Sequence, residues 1–226
     1  MKTLGLIGGT SWHSTVEYYR AINEKVSEKI GSGANPELIL YSINIEVMRS
    51  RDWDRINIKY LEVSQRLEEA GAEAILICAN TPHMAYEYVQ PKIGIEILHI
   101  GDAIGREAQR LGLKNLALFG NKPTITGRFI PDILKEKYHI ETILPGAVAI
   151  EKSNDFVSNE LTQGIFSAEA VSFYQEQIYI LKLAGADGAI LGCTELPILL
   201  KDVPTCLPSL STTDLHVDMA VEFILG

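Results

Sequence analysis

The stretch Gly192-Cys193-Thr194-Glu195-Leu196-Pro197 holds the residue types most directly suited to chemistry. A glycine before the cysteine lets a ligand approach the backbone closely. The amides after Cys193 are expected to open a helix, whose positive end would favour a thiolate and bind a carboxylate oxygen. A thiolate there could take a proton from a carbon next to a carboxylate, and should alkylate faster than Cys206. Free cysteines are more often packing residues, but glycine before and polar residues after are unusual surroundings for one. A second stretch, Cys78-Ala79-Asn80-Thr81-Pro82-His83, offers Asn80 and Thr81 as side-chain donors, and His83 as a donor or as an orienter of a thiolate. An ordinary Asn-containing turn is the plainer reading. Gly8-Gly9-Thr10-Ser11 supplies a glycine turn with free amides and the Ser11 hydroxyl, suited to a carboxylate. It lacks the spacing of a dinucleotide-binding loop. Ser14-Thr15-Val16-Glu17 fits a capping box and predicts a helix start near residue 15. Arg49 or Arg51 could clamp a distal carboxylate through two parallel hydrogen bonds, although most arginines are solvated. Thr124, after Gly120-Asn121-Lys122-Pro123, is a candidate ligand donor or simply a helix cap.

These residues need strands to hold them. Residues 38–42, 74–78, 116–119 and 189–191 are short apolar runs without polar alternation, as expected of parallel strands covered on both faces. Between them, 60–70 and 168–183 space their apolar residues like helices. The alternation predicts an α/β fold with parallel sheets. Two segments also recur. Lys2-Thr3-Leu4-Gly5-Leu6-Ile7-Gly8 resembles Lys114-Asn115-Leu116-Ala117-Leu118-Phe119-Gly120 at an offset of 112 (114 − 2). Ala70-Gly71-Ala72-Glu73-Ala74-Ile75-Leu76 resembles Ala184-Gly185-Ala186-Asp187-Gly188-Ala189-Ile190 at an offset of 114 (184 − 70). Two similar lobes related by a pseudo-twofold axis follow: residues 1–100, to which a C-terminal helix of about 213–226 returns, and residues 101–212. Ligands of parallel sheets bind beyond the carboxyl ends of the strands. The loops after Ile77 and Leu191 are therefore expected to meet at an active site in the cleft between the lobes.

Bulk properties narrow the partners. A net charge of −9 gives no electrostatic reason to bind nucleic acid or an anionic membrane. No apolar run approaches the length of a membrane span or a signal-peptide core. Three scattered cysteines make neither a disulfide framework nor a metal-binding spacing, so no metal is expected and a reducing cytoplasm is.

The motifs together resemble the aspartate/glutamate racemase family. Ile190 to Pro197 is similar to its second cysteine motif and Ile77 to His83 to its first. Gly5-Leu6-Ile7-Gly8-Gly9-Thr10-Ser11-Trp12, with Ser14-Thr15 and Tyr18-Tyr19, is similar to its N-terminus. Thr212-Thr213 and His216 resemble its C-terminal segment. The resemblance implies two α/β lobes, no cofactor, a homodimer and an amino-acid or dicarboxylate substrate. It implies a pair of cysteines that exchange the α-proton on opposite faces of the carbon. Ser11, Arg49, Asn80, Thr81, His83, Thr124 and Thr194 are the candidate substrate-binding residues among those above.

The chain departs from that pattern. The repeat pairs Cys193 with Ala79 (193 − 79 = 114) and leaves Cys78 opposite Gly192. A one-residue shift at a strand end turns a side chain to the other face. Cys78 is thus a doubtful second catalytic residue. Pro82 and Ser211 also differ from what the family tends to carry. Three readings stay open: an amino-acid racemase acting on aspartate, glutamate or a similar amino acid; a one-cysteine decarboxylase or isomerase of carboxylate substrates; and a non-catalytic amino-acid-binding homologue.

Overall fold

A computed structural model describes all 226 residues, which divide into two compact units. Unit 1 comprises Met1–His99 and His216–Gly226; unit 2 comprises Ile100–Leu215. Unit 1 runs β1 (Leu4–Gly8), α1 (Trp12–Ile30), β2 (Leu38–Ser42), α2 (Glu46–Arg49), α3 (Trp53–Glu69), β3 (Ala74–Ile77), a 3₁₀ turn (Thr81–Ala85), α4 (Tyr86–Val89) and β4 (Glu96–Ile97). Its sheet is all parallel in the order β2-β1-β3-β4. β1 and β3 are buried throughout, as continuous apolar strands covered on both faces should be. β2 is different: it is an edge strand, and Leu40 is 46% exposed. An apolar run alone does not reveal that a strand has a neighbour on one side only.

α1 begins at Trp12, three residues before the start that the Ser14 box predicts. Ser11 is the cap and accepts from the Ser14 amide, while the Ser14 hydroxyl donates to the Cys78 carbonyl at 2.8 Å. The serine that looks like a cap is a tie to β3 instead. α3 is capped by Asp52 and buries Ile56, Tyr60, Val63 and Leu67 at helical spacing against Ile7, Ile75 and Ile77.

Unit 2 runs α5 (Ile100–Leu111), β5 (Asn115–Gly120), α6 (Lys122–Thr126), α7 (Phe129–Tyr138), β6 (Glu141–Ile143), α8 (Ala147–Asn159), α9 (Ala168–Leu183), β7 (Gly188–Gly192), α10 (Leu196–Leu199) and β8 (Ser209–Ser211). Its sheet is parallel in the order β6-β5-β7-β8, the same winding as in unit 1. Ser167 caps α9, and Ala170, Phe173, Tyr174, Ile178 and Leu181 form its buried face. They pack with Phe119, Phe156 and Leu191 in one core. The final helix, α11 (Thr212–Leu225), belongs to unit 1 from His216 onward. No helix is long and apolar enough to cross a membrane.

Unit 1 also buries three histidines, His83, His99 and His216. The His83 ring lies 4.8 Å from that of His99 and 5.3 Å from that of His216. His216 Nε2 donates to the Leu98 carbonyl at 2.7 Å, which leaves Nδ1 to accept from the Tyr18 hydroxyl at 3.1 Å. Burial pushes His83 down to about 4 and, with the neighbouring His83, pushes His216 down to about 3. Both rings are therefore neutral in the folded chain and gain protons on unfolding below pH 6.5. Stability is predicted to fall as pH drops from 6.5 to 5, by on the order of 1–2 kcal/mol for each imidazole. Urea midpoints measured across that interval check this; a flat midpoint would show that the rings are not buried neutral.

Candidate functional site

β5 and β7 align Gly120 with Gly192 at their carboxyl ends, and Cys193 follows directly. Its side chain is half-buried against the core of unit 2. The Cys193 thiol donates to Glu195 Oε2 at 2.8 Å, and the Thr194 hydroxyl donates to the same oxygen at 2.7 Å. Burial pushes the thiol well above the ordinary cysteine value, and the Glu195 carboxylate pushes it further. The backbone amides of Thr194 and Glu195 pull the other way but do not prevail. This corrects the expectation of a resting thiolate favoured by amides alone. Those amides are present, but α10 is one turn long and an acidic side chain folds back over the sulfur. The resting sulfur is thus a thiol that donates to an acidic side chain. Glu195, not singled out from the sequence, is therefore a functional candidate. Its position two residues after the cysteine was the available signal.

Thr124 is buried below the same strand ends, its amide bonded to the Asn121 side chain at 2.9 Å. Its methyl group faces Gly120 and Gly192. Ser153 on α8 donates to the Gly120 carbonyl at 2.8 Å, and Tyr174 on α9 bonds to Ser153 at 2.9 Å.

In unit 1, β1 and β3 pair Ile7 with Ile77, and the Cys78 amide donates to the Ile7 carbonyl at 2.9 Å. Cys78 thus extends the ladder and occupies the place of Gly192, with Ala79 in the place of Cys193. Cys78 is 1% exposed, and burial pushes its thiol far up. Ala79 is half-buried. Asn80 is buried and Thr81 half-buried at the start of the 3₁₀ turn. His83 Nδ1 lies 2.9 Å from the Ala79 carbonyl and 3.1 Å from the Asn80 carbonyl, so this nitrogen donates to the turn itself. Ser11, beyond β1, is tied up as the cap of α1, with its carbonyl accepting from Thr15. Arg49 pairs with Glu46 at 2.8 Å on the surface of α2, and Arg51 stands beyond that helix at φ 54°. The structure brings Ser11, Asn80 and Thr81 to neighbouring strand ends of unit 1, and Thr124, Cys193 and Thr194 to neighbouring strand ends of unit 2. Arg49 lies on the short exposed helix that follows β2, paired with Glu46.

Residues 7–220 match the Asp/Glu/hydantoin racemase family. A crystal structure of a candidate Asp/Glu racemase from Yersinia pestis is 33% identical, with a TM-score of 0.94 and full coverage of both chains. An aspartate racemase homologue from Pyrococcus horikoshii is 32% identical, with a TM-score of 0.88 and again full coverage of both. The broad specificity amino-acid racemase RacX of Bacillus subtilis is 22% identical over 222 residues, covering 93% of this chain and 92% of RacX.

The thiol–carboxylate contact leads to an alkylation test. Cys206 is exposed, Cys193 half-buried with a raised thiol, and Cys78 buried. Iodoacetamide is predicted to label Cys206 first, then Cys193, and Cys78 only on unfolding. Glu195→Gln removes the charge that opposes ionisation and should speed labelling of Cys193 at fixed pH. Peptide mass spectrometry after timed quenching reads this; slower labelling in the variant would mean that Glu195 favours the thiolate.

Proposed function

The chain belongs to the Asp/Glu/hydantoin racemase family, and on that premise we propose that it moves the α-proton of an amino acid, aspartate, glutamate or a similar one, through Cys193. The observation that carries this reading is the place of Cys193, directly after Gly192 where the carboxyl ends of β5 and β7 align. The fraction of Cys193 that ionises, its proton passing to solvent, removes the α-proton. The carbon is left as a carbanion whose charge spreads into the adjacent carboxylate, and Cys193 is a thiol again. A thiolate with a raised pKa is a stronger base toward a carbon acid once formed. Donors to the substrate carboxylate stabilise the charge that develops there; Asn80 and Thr81 are proposed for this role. The family resemblance also underlies the proposal of a cofactor-free homodimer in the cytoplasm.

A second reading rests on a specific observation. Ala79 stands where the repeat would put a second proton-transfer residue, and Cys78 is only 1% exposed. One-faced chemistry on a carboxylate substrate, as in a decarboxylase or an isomerase, needs no acid at position 79.

Proton NMR of amino acids in deuterated water separates these readings. Cys193→Ser is predicted to abolish loss of the α-proton signal, and Cys78→Ser to leave it nearly intact. Exchange should proceed faster from one enantiomer than from the other. Ala79→Cys should raise net racemisation by roughly 10²–10⁴-fold, the usual contribution of one positioned acid or base. Equal losses in Cys78→Ser and Cys193→Ser would instead make this a two-cysteine racemase with Cys78 at the site. No exchange with any amino acid would leave the one-faced or purely binding reading.

A further inference from the structure

Tyr60 lies on the buried face of α3, and its phenol oxygen is 2.9 Å from Thr10 Oγ1. Either oxygen could donate by distance alone, but burial decides between them. Tyr60 is 1% exposed, and Thr10 is half-exposed in the turn after β1. If Thr10 donated, the phenol proton would be buried with no acceptor, a costly state for a polar hydrogen. Tyr60 therefore donates, and the hydroxyl proton of Thr10 is directed away from it. Burial pushes the phenol above its ordinary value, so it remains a donor at working pH.

The backbone on both sides of Thr10 is fixed. The Gly9 amide donates to Thr15 Oγ1 at 2.9 Å, and the Thr15 hydroxyl and amide donate to the Ser11 carbonyl at 2.9 and 3.0 Å. Ile43 donates to the Gly8 carbonyl at 2.9 Å. Gly9 adopts φ 93°, a conformation that favours glycine. Thr10 thus presents a pre-oriented O–H at the carboxyl end of β1, where parallel sheets bind ligands.

Unit 2 supplies a control within the same chain. Tyr174 stands 114 positions after Tyr60 (174 − 60) on the matching helix. Its partner is Ser153, whose proton goes to the Gly120 carbonyl. There the run of hydroxyls ends on the protein's own backbone; in unit 1 it ends on the half-exposed Thr10.

We propose that Thr10 binds substrate by donating to its carboxylate, and that Tyr60 is the positioning residue that aims the Thr10 hydroxyl. This rests on the amino-acid reading of the site given above. It is tested by calorimetry with aspartate, glutamate and alanine as probes, alongside α-proton exchange in deuterated water. Thr10→Val is expected to weaken the best-bound probe about ten- to a hundredfold, as loss of one hydrogen bond to a charged group would. Thr10→Ser should restore binding. Tyr60→Phe should weaken binding in the native background and add nothing in Thr10→Val. Native affinity in Thr10→Val, or an equal effect of Tyr60→Phe in both backgrounds, would overturn the proposal, as would failure of all three probes to bind the native protein. Binding that follows the expected series without α-proton exchange would instead sink the proton-transfer reading and leave Thr10 in place.

Discussion

At the carboxyl ends of β5 and β7, two glycines lie backbone to backbone. A side chain on Gly120 would come within 2.8 Å of the Gly192 carbonyl oxygen. One on Gly192 would come within 2.6 Å of the Phe119 carbonyl oxygen and 3.0 Å of the Thr124 methyl. Nothing larger than hydrogen fits at either position without moving the strands apart. This close approach fixes where β7 ends, and hence where Cys193 leaves it. Ser153 holds the Gly120 carbonyl from above, and Tyr174 holds Ser153, so α8 and α9 are both tied to the same point. The sulfur can meet the Glu195 carboxylate at hydrogen-bond distance because the backbone beneath it has so little freedom.

Unit 1 repeats the scaffold with different side chains. The Ser14 hydroxyl holds the Cys78 carbonyl much as Ser153 holds that of Gly120. Cys78 fills the place of Gly192, and its thiol is buried as a small apolar group, with burial disfavouring the thiolate. Ala79 then stands at the exit from the strand without a proton to give. What unit 1 offers instead is hydroxyl and amide groups at its strand ends: Thr10, Asn80 and Thr81. The two units share a strand order and differ in what their turns carry, hydroxyl and amide groups in one and a thiol beside a carboxylate in the other.

The parts of this arrangement that depend on local sequence were legible from it. The Ala-Gly-Ala turns gave the repeat, the apolar spacing of 168–183 matched α9 at both ends, and the 114-residue offset put Ala79 opposite Cys193. The parts that depend on distant partners were not. Ser14 reads as a cap because its true partner, the Cys78 carbonyl, is 64 residues away. Thr10 was passed over because its orientation comes from Tyr60, 50 residues on. The raised Cys193 thiol depends on the direction in which the Glu195 side chain turns, which residue order does not specify. The exposure of β2 depends on its being at the sheet edge. The Arg49–Glu46 pair, three residues apart on α2, is the exception: its spacing was visible in the sequence and lowers the case for Arg49 as a free clamp.

Charge conservation limits what the Cys193 site can accept. The thiol and the Glu195 carboxylate together carry one negative charge, whichever atom holds the proton, and the chain as a whole is at −9. That charge offers a substrate carboxylate no attraction, so neutral donors would have to hold it. Thr194 is already bonded to the Glu195 carboxylate that also accepts from the Cys193 thiol, so turning it elsewhere would alter that contact. Arg49 is under no such constraint. Its bond to Glu46 joins two side chains that are 65% and 61% exposed, and such pairs contribute about 0–1 kcal/mol. Giving up the Glu46 pair would cost Arg49 little, whereas turning Thr194 away would remove a donor from Glu195. A second substrate carboxylate would thus need a cation from outside the Cys193 loop, where the charged side chain is the acidic Glu195.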